Sequence, residues 1–431
     1  MTQAMSSILI QGGRVIDPAS QTDQITDILI EQGKIRTIGP CGDLPSNAER
    51  QTINASGLIV SPGFIDLCAR LREPGSEYKG TIASETNAAA ASGITRLCVP
   101  PDTDPVIDTP AVAALIQDLS ETNRRCNVSI IGALTQGLEG QQLSEMYALK
   151  QAGCIAVSNA WQPIHSNQTI QRCMEYASTF DLTLFINPQD HALAQNGCAH
   201  EGPTASKLGL PTIPETAETI AVAQYLLLAE HTNTRIHFSQ LSTQRSLDLI
   251  QQAKDRNMQV SADVSAHQLI LTDEYLSEFE GVYHLRPPLR SVSNRDGLRA
   301  GIRSGVITGI CSDHQPHELA AKMAPFEATE PGISSLETLL PLTLRLVDNG
   351  SLTLNQAIAC LTQGPAAVIQ NNEGQIKVGR LANLCIFDPL AEYQLTEQTL
   401  KSTGKNSPFL NQTLKGQVRY TVLDGEISYQ A

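Results

Sequence analysis

The chain has 431 residues, of which 41% are apolar and 17% are charged, and this composition is typical of a globular protein. A net charge of −14 argues against a nucleic-acid partner, because binding to phosphates requires a basic surface. No apolar run approaches the roughly 20 residues that span a bilayer, and residues 1–4 do not begin a signal peptide, so we expect no membrane segment.

The ten cysteines are scattered singly along the chain and form no C-x-x-C pair. Several of them, such as Cys98 and Cys385, stand among apolar neighbours, where a free thiol behaves as a small buried hydrophobic group. This usage favours a reducing compartment, and we therefore predict a cytoplasmic protein.

Short strands and tight turns are predicted at both ends of the chain. Near the start, apolar runs flank Gly12 and Gly13, and near the end Asp424 and Gly425 give a strong hairpin signal between two apolar runs. We therefore predict one small β-domain that is formed by residues 1–60 and 371–431.

Between these ends, short apolar runs alternate with helical patterns. The clearest helix is predicted over 215–230, directly after Pro214. Eight runs have the character of buried strands, at 58–67, 95–99, 128–131, 155–157, 182–186, 235–238, 259–262 and 306–310. Eight strands that alternate with helices predict a (β/α)₈ barrel over residues 61–370, with chemistry expected at the C-terminal ends of the strands.

Several motifs lie at or after these predicted strand ends. Residues 61–75 read S-P-G-F-I-D-L-C-A-R-L-R-E-P-G, and further segments are P-P-L-R at 287–290, S-D-H-Q-P-H at 312–317, G-I-S-S-L-E-T at 332–338 and K-N-S-P-F at 405–409. In their order, and over nearly the whole chain, they resemble the dihydroorotases of the amidohydrolase superfamily. The resemblance implies a TIM-type barrel of the amidohydrolase kind with a small β-sandwich domain formed by both termini.

The first zinc-binding motif of that family is changed in this chain. Dihydroorotases read H-x-H where this chain has Cys68 and Arg70. Alternate residues of a strand point the same way, so both positions are expected to face the barrel mouth. Arginine cannot be a metal ligand because it remains protonated. We interpret Cys68 as a packing residue in preference to a thiolate ligand.

Three further ligand positions of the family also lack a ligand residue. Asn159 replaces the bridging acid, and Asn187 and Gln240 each replace a histidine. Only Asp313 remains, the ligand that is also the general base in the active family. Zinc normally takes three or four protein ligands, so the resemblance implies a lost zinc site, no metal cofactor and no enzyme activity, with Asp313 as a vestigial base. Water that is not bound to a metal keeps a pKa far too high to supply hydroxide at neutral pH.

The residues on the substrate side are mixed. By the resemblance, Arg72 matches the arginine that pairs with the substrate carboxylate and His317 matches a substrate-contacting histidine, whereas Asp102 and Arg286 each replace an asparagine. An acid at position 102 is expected to repel an anionic substrate. We therefore treat Arg72, Asp102 and His317 as vestigial, and a structural salt bridge is an equally good reading of Arg72.

The surviving acid leads to a structural prediction. An unpaired Asp313 in a half-buried pocket would be costly, so we predict that Arg70 or Arg286 occupies the vacated metal volume and pairs with it. His267 is interpreted as a packing residue. The histidines without ligand spacing are expected on the surface or in loops, among them His165, His200 and His231.

These departures favour a protein that retains the fold without the chemistry. The resemblance extends to a non-catalytic type of dihydroorotase homologue, which forms a complex with aspartate transcarbamoylase catalytic chains and is needed for their assembly or activity. It therefore implies a scaffold subunit in de novo pyrimidine biosynthesis, one that forms a homodimer by itself and has no nucleic-acid or membrane partner.

Two alternatives remain open from the sequence. A degenerate hydrolase of a different cyclic amide, with one metal or none, could use Asp313, His317, Cys68 and His267. A small-molecule sensor could instead bind a pyrimidine precursor through Arg72 without turning it over.

Overall fold

The computed structural model describes residues 7–41 and 50–431. Residues 1–4, which carry the expectation about a signal peptide, and residues 42–49 of the predicted β-domain lie outside the described residues. The described strands are β1 (Ser7–Asp17), β2 (Thr22–Glu31), β3 (Lys34–Ile38), β4 (Arg50–Asn54), β5 (Ile59–Pro62), β6 (Phe64–Asp66), β7 (Ile94–Val99), β8 (Asn127–Ala133), β9 (Cys154–Ser158), β10 (Thr183–Ile186), β11 (Ala199–His200), β12 (Thr212–Ile213), β13 (Ile236–Phe238), β14 (Val260–Ser265), β15 (Gly309–Cys311), β16 (Leu384–Gln394), β17 (Thr413–Leu423) and β18 (Glu426–Gln430).

The described α-helices include the one predicted over 215–230, which is α6. In chain order they are α1 (Ile82–Ala91), α2 (Pro110–Thr122), α3 (Met146–Gln151), α4 (Asn167–Thr179), α5 (Pro203–Leu208), α6 (Glu215–Thr232), α7 (Gln244–Asp255), α8 (Val292–Arg303), α9 (Leu339–Asp348), α10 (Leu354–Leu361) and α11 (Gln363–Val368). Helices α1 and α7 begin after Thr81 and Thr243, whose hydroxyls accept hydrogen bonds from backbone N–H groups of the first turn. Within the described ranges, no helix has the length and apolar character needed to cross a membrane.

Both ends of the chain contribute strands to one eight-stranded sheet. Its order is β18-β17-β16-β5-β1-β2-β3, and β4 pairs with β1. Strands β1 and β2 are antiparallel, with Ile8 opposite Ile30. Side chains from both ends of the chain meet in one apolar cluster, which includes Ile10, Val60, Leu384 and Val422. The predicted domain limits at residues 60 and 371 stay a prediction.

The middle of the chain forms the predicted barrel. Its eight strands lie side by side in the order β6-β7-β8-β9-β10-β13-β14-β15, and each neighbouring pair is parallel. All residues of β10 and β13 are buried, as expected where helices cover one face of the strands and the barrel core the other. The predicted fold class is thereby confirmed.

The single strand predicted over 58–67 is wrong in one respect, because the structure divides this run at Gly63. Strand β5 pairs antiparallel with β16 in the terminal sheet, whereas β6 pairs parallel with β7 in the barrel. The Gly63 N–H donates to the Asn383 carbonyl at 2.8 Å, at the point where the chain changes sheets. One apolar run therefore serves both sheets.

The residues that follow the first and last barrel strands close the ring. The backbone N–H of Arg70 donates to the carbonyl of His314 at 2.9 Å, and the N–H of His314 donates to the carbonyl of Cys68 at 3.3 Å. Next to this bridge, the backbone N–H of Ser312 donates to the Asp66 carboxylate at 2.8 Å. The closure brings Cys68, Arg70 and the residue before His314, which is Asp313, together at the barrel mouth.

Candidate functional site

The six residues that we predicted at metal-ligand positions lie at the C-terminal ends of barrel strands. Cys68 and Arg70 follow β6, Asn159 follows β9, Asn187 follows β10, Gln240 follows β13 and Asp313 follows β15. The backbone is left-handed at Gln240 (φ 55°) and at Asp313 (φ 49°), a conformation that is uncommon for residues other than glycine and that concentrates at functional sites. These residues therefore have the strand-end location that barrel enzymes use for their sites.

The guanidinium of Arg70 occupies the centre of this site. Its Nε lies 2.8 Å from an Asp102 carboxylate oxygen, and its Nη1 lies 3.6 Å from Asp313 Oδ1 and 3.8 Å from Cys68 Sγ. The pairing predicted for Asp313 is thus confirmed, through Arg70 and not through Arg286. Asp102, which we expected to repel an anionic substrate, has its charge engaged by Arg70.

Burial weakens the ligand character of the remaining acid and thiol. Burial raises the pKa of Asp313 to about 7, although the charge of Arg70 opposes this shift. Burial also raises the pKa of the Cys68 thiol well above its ordinary value, and the charge of Arg70 counteracts this only in part. At neutral pH, Cys68 is therefore a thiol, and Asp313 is divided between its charged and neutral forms. Burial alone would lower the pKa of Arg70, but Asp102 and Asp313 raise it, so this cation is permanent.

The three amide side chains at the site form two separate groups. Asn159 is fully engaged, because its Oδ1 accepts from the Thr135 hydroxyl at 2.7 Å and its Nδ2 donates to the carbonyls of Leu138 and Gln162. Asn187 donates from Nδ2 to Gln240 Oε1 at 2.5 Å. The other amide atom of Gln240, Nε2, is buried without a hydrogen-bond partner among the described residues.

These residues do not fit a zinc ion. Within residues 7–41 and 50–431, no group of three or more His, Cys, Asp or Glu side chains is arranged to hold a metal. The Arg70 cation lies in contact with the two donors that remain, Cys68 and Asp313. A dication requires at least three anionic or neutral donors that converge on one point. This centre instead contains a guanidinium in contact with its two donors.

Two of the substrate-side residues come together beside the centre. Arg72 donates from Nε to the Pro316 carbonyl at 3.0 Å, and its Nη2 lies 3.2 Å from His317 Nε2. The other ring nitrogen of His317 lies 3.3 Å from Lys79 Nζ and 3.3 Å from Glu330 Oε2. Burial and the neighbouring cations Arg72 and Lys79 lower the pKa of His317 to about 2, so its ring is neutral.

The four residues considered for a one-metal hydrolase are not brought together. Cys68 Sγ lies 4.0 Å from Asp313 Oδ1. His317 instead contacts Lys79, with 3.3 Å between Nδ1 and Nζ. His267 is buried, and its Nε2 lies 3.1 Å from the Ser265 hydroxyl. Its Nδ1 has no partner among the described residues, and burial lowers its pKa to about 3.

Two buried acid–histidine pairs adjoin the site. The sequence did not suggest either of them. His314 Nε2 lies 2.8 Å from Glu85 Oε2, and His237 Nε2 lies 2.9 Å from Asp263 Oδ2. All four side chains are fully buried. The sequence position of Glu85 could have indicated one of these pairs, because an acid within the alanine-rich helix α1 needs a partner for its charge.

The expectation that His200 lies on the surface or in a loop is wrong. His200 is in strand β11 and only 7% exposed, and its Nδ1 lies 3.2 Å from Arg290 Nη1. Burial and the Arg290 charge lower its pKa, so it is a neutral partner of a buried arginine. His165 and His231 are exposed, as expected.

Solved structures of similar shape include hydantoinases. The L-hydantoinase of Arthrobacter aurescens superposes with a TM-score of 0.88 at 21% identity, over 98% of this chain and 96% of its own. A D-hydantoinase gives a TM-score of 0.83 at 22% identity, over 97% of this chain and 94% of its own. At such identities the likeness shows the fold alone.

Sequence comparisons are more specific. The Dihydro-orotase-like family matches residues 57–246, and the Amidohydrolase family matches residues 209–429. Dihydroorotase-like proteins of Pseudomonas putida and Pseudomonas aeruginosa are 51% and 49% identical over 98% of this chain, and a dihydroorotase of Trichlorobacter lovleyi is 38% identical over 98% of it; the alignments cover 99%, 100% and 99% of those proteins. The chain therefore belongs to the amidohydrolase family and, within it, to the dihydroorotase-like proteins.

Proposed function

We propose that this chain is a non-catalytic dihydroorotase homologue, which acts in the cytoplasm as an assembly subunit for aspartate transcarbamoylase catalytic chains in de novo pyrimidine biosynthesis. The observation that carries the non-catalytic part is the Arg70 guanidinium. It stands where working dihydroorotases carry a zinc-binding histidine, and it is paired with both Asp102 and Asp313.

Hydrolysis of a cyclic amide needs an activated water and a group that polarises the carbonyl. Asp313 can accept a proton, but its carboxylate already faces Arg70 and accepts a hydrogen bond from Gln315 Nε2 at 3.1 Å. Asn159, Asn187 and Gln240 provide amides, which neither ionise nor take up a proton at neutral pH. The centre therefore lacks the means to generate a hydroxide.

The assembly role is supported by what the chain keeps. Two fully buried pairs, His237–Asp263 and His314–Glu85, join elements of the barrel without a metal. Among the relatives above, the two named dihydroorotase-like are closer in sequence, at 51% and 49%, than the dihydroorotase at 38%. The partner itself rests on the resemblance of the chain to non-catalytic homologues that join transcarbamoylase chains.

The barrel mouth also carries an apolar surface suited to a protein partner. Tyr78, Leu319 and Met323 are 67%, 76% and 74% exposed. Tyr78 and Leu319 are sequence neighbours of Lys79 and Glu318, whose Nζ–Oε2 distance is 3.6 Å, and Met323 follows the short helical turn Leu319–Lys322. Exposed apolar side chains near one another are typical of protein-binding surfaces. We refer to Tyr78, Leu319 and Met323 as the mouth rim.

The test is co-expression with aspartate transcarbamoylase catalytic chains from the same cell, followed by size-exclusion chromatography and an assay of carbamoyl transfer. We expect a complex that contains both chains and transfer activity that depends on this protein. Unchanged assembly and activity in its absence would contradict the proposal.

A mouth-rim variant, Tyr78→Ser with Leu319→Ser and Met323→Ser, makes the test specific to a surface. We expect it to weaken the complex while the protein stays folded, since exposed side chains contribute little to stability. The matched control is Leu390→Ser, which removes a 74% exposed leucine from the terminal sheet and is expected to leave the complex intact.

A further inference from the structure

A cavity on the flank of the barrel has a volume of about 330 Å³. It lies between the end of α1, the start of α9 and the strands β16, β17 and β18 of the terminal sheet. None of the six strand-end residues at the barrel mouth lines it. Small-molecule sites have volumes of about 300–1,000 Å³, so this cavity, which we call the flank cavity, is large enough for a small ligand.

The lining of the flank cavity combines an apolar surface with a few polar groups. Leu340, Pro341, Leu395 and Val418 are buried and supply aliphatic surface. The polar groups include an acid, two tyrosines and two glutamine amides, which are Glu337, Tyr393, Tyr429, Gln398 and Gln417. A few polar groups that converge on an apolar cavity fix the orientation of a ligand.

Glu337 is the acid of this cavity. Its Oε1 accepts from the Lys401 N–H at 2.6 Å, and its Oε2 accepts from the Ser402 N–H at 3.2 Å. Among the described residues, it forms no ion pair with a cationic side chain. Burial raises its pKa to about 7, although the two backbone hydrogen bonds and the charge of Lys405 oppose this shift, and the charge of Glu85 adds to it. Each carboxylate oxygen has two lone pairs, so the group can accept further hydrogen bonds.

Tyr393 and Tyr429 lie next to that acid. Burial and the charge of Glu337 raise the pKa of both hydroxyls, so the hydroxyls and the carboxyl are near one another. Neither hydroxyl has a hydrogen-bond partner in the part of the chain that the structure describes. A tyrosine oxygen accepts hydrogen bonds, and the face of the ring attracts a cation. The acid and both tyrosines therefore supply acceptors and negative potential to the flank cavity.

We propose that the flank cavity binds a small alkylammonium, whose N–H groups donate to Glu337 and the tyrosine hydroxyls and whose aliphatic part lies against the apolar lining. A mostly buried acid without a counter-ion is unfavourable, and a bound cation would supply that counter-ion. Lys401 also lines the cavity, but it is exposed and makes no ion pair with Glu337. An anion would instead meet the Glu337 carboxylate. The site takes part in no reaction, and it does not depend on the proposed assembly role.

Ligand-observed NMR titration at pH 8, in phosphate buffer without organic cations, tests the proposal with three probes that share a four-carbon chain. Butylammonium carries a cation, 1-butanol carries an uncharged hydroxyl, and butyrate carries an anion. Because a ligand of this size binds weakly, we expect a dissociation constant of about 1 mM for butylammonium and values at least about tenfold higher for the other two. Equal binding of 1-butanol or tighter binding of butyrate would overturn the proposal, as would no detectable binding of butylammonium at ten times the expected constant.

The pH dependence of binding tests whether the cation lies at Glu337. An alkylammonium has a pKa of about 10.4, like lysine, so the probe stays charged near neutral pH. The cation favours the ionised carboxylate, whose fraction in the empty cavity rises about tenfold between pH 6 and pH 8 for a pKa of about 7. We therefore expect butylammonium to bind about tenfold more tightly at pH 8 than at pH 6. An affinity that does not change over this range would overturn the proposal.

Three substitutions locate the site. Glu337→Gln keeps an acceptor without the charge and is expected to weaken the binding of butylammonium at pH 8 by about tenfold or more and to abolish its pH dependence. Tyr429→Phe keeps the ring without the hydroxyl and is expected to weaken binding by about two- to fivefold. The matched control is Glu397→Gln, at an exposed acid in the loop after β16 that does not line the cavity, and it is expected to leave the affinity unchanged within about twofold.

Unchanged binding in Glu337→Gln, or an equal loss in Glu397→Gln, would overturn the proposal. Melting temperatures with and without butylammonium check that each variant is folded and report binding independently.

Discussion

The barrel mouth contains two buried side-chain pairs, and they differ in how completely their polar atoms are hydrogen-bonded. In the lower pair, His314 and Glu85 lie 2.8 Å apart, Glu85 Oε1 accepts from the Thr403 N–H, and His314 Nδ1 accepts from the Ser335 N–H. Burial alone would raise the pKa of Glu85, yet the contact with His314 lowers it below its ordinary value.

The upper pair, at the barrel centre, is looser. Arg70 lies 3.6 Å from Asp313, and the pKa of Asp313 is raised to about 7. Gln240 Nε2, at another of the strand-end positions, is buried without a partner among the described residues. The lower pair is therefore a framework in which each of these polar atoms has a hydrogen-bond partner, whereas in the upper pair a monovalent guanidinium compensates the charge of Asp313 only in part.

The largest expected effect comes from breaking the framework pair. Glu85→Ala leaves the His314 ring N–H and the Thr403 N–H without their acceptor, and we expect it to lower the free energy of unfolding by about 2–5 kcal/mol. Urea denaturation at neutral pH measures this. Glu121→Ala, at an exposed position on α2, is the control and should change stability by less than about 0.5 kcal/mol. An equally small effect of Glu85→Ala would show that the framework pair is not structural.

Breaking the upper pair is expected to cost less. Arg70→Met removes the cation, but Asp313 can take up a proton, so we expect a loss of about 1–3 kcal/mol at neutral pH. Arg70→Met combined with Asp313→Asn leaves only Asp102, which is 28% exposed, without its cation and should recover part of that loss. Urea denaturation of both variants measures the two free energies of unfolding. A double variant less stable than Arg70→Met would contradict the pairing. Arg36→Met, at an exposed arginine 4.0 Å from Glu31, controls for the loss of an arginine.

An acid near the framework gives a pH-dependent effect of intermediate size. Glu337 accepts hydrogen bonds from the N–H groups of Lys401 and Ser402, and burial raises its pKa from 4.5 to about 7. The folded state then holds this proton more tightly than the unfolded state, so its contribution to stability falls as pH rises from 4.5 to 7.

Glu337→Gln removes that contribution and retains a carbonyl acceptor. Relative to wild type, the variant should gain on the order of 1–2 kcal/mol between pH 5 and pH 8, a value discounted because the side chain is not fully buried. Asp66 and Asp313 shift in the same direction in both proteins, so the difference between the two stability curves isolates Glu337. Parallel curves would contradict the assignment.

The smallest expected effect concerns activity. Restoring the H-x-H pair with Cys68→His and Arg70→His should give no measurable dihydroorotase activity, because Asn159, Asn187 and Gln240 still supply no acid or imidazole. Measurable cyclisation of carbamoyl aspartate by this double variant would show that the other three positions are not needed. The matched comparison adds Asn159→Asp, Asn187→His and Gln240→His, which completes the ligand set and should permit zinc uptake.

The barrel was predictable because its strands are short apolar runs of regular spacing, and the motifs after them predict where the strand ends lie. The division of the run at 58–67 was not predictable, since both halves are apolar and only tertiary pairing assigns Ile59–Pro62 to one sheet and Phe64–Asp66 to the other.

The pairing of Asp313 followed from charge balance, but the choice between Arg70 and Arg286 did not. Arg70 is two residues from Cys68 on the closing strand, whereas Arg286 turns away to stack on Trp161, and this direction depends on loop packing that sequence spacing does not encode. The burial of His200 escaped prediction for the same reason, because Arg290 lies 90 residues away in sequence.

Metal content together with hydrolase activity tests the central claim most directly. The full-length protein is exposed to excess zinc, passed through a desalting column, and analysed for metal and for interconversion of carbamoyl aspartate and dihydroorotate. The arginine-filled centre predicts far less than one zinc per chain and no turnover above the uncatalysed rate. Near-stoichiometric zinc, with activity that is lost on chelation, would contradict it.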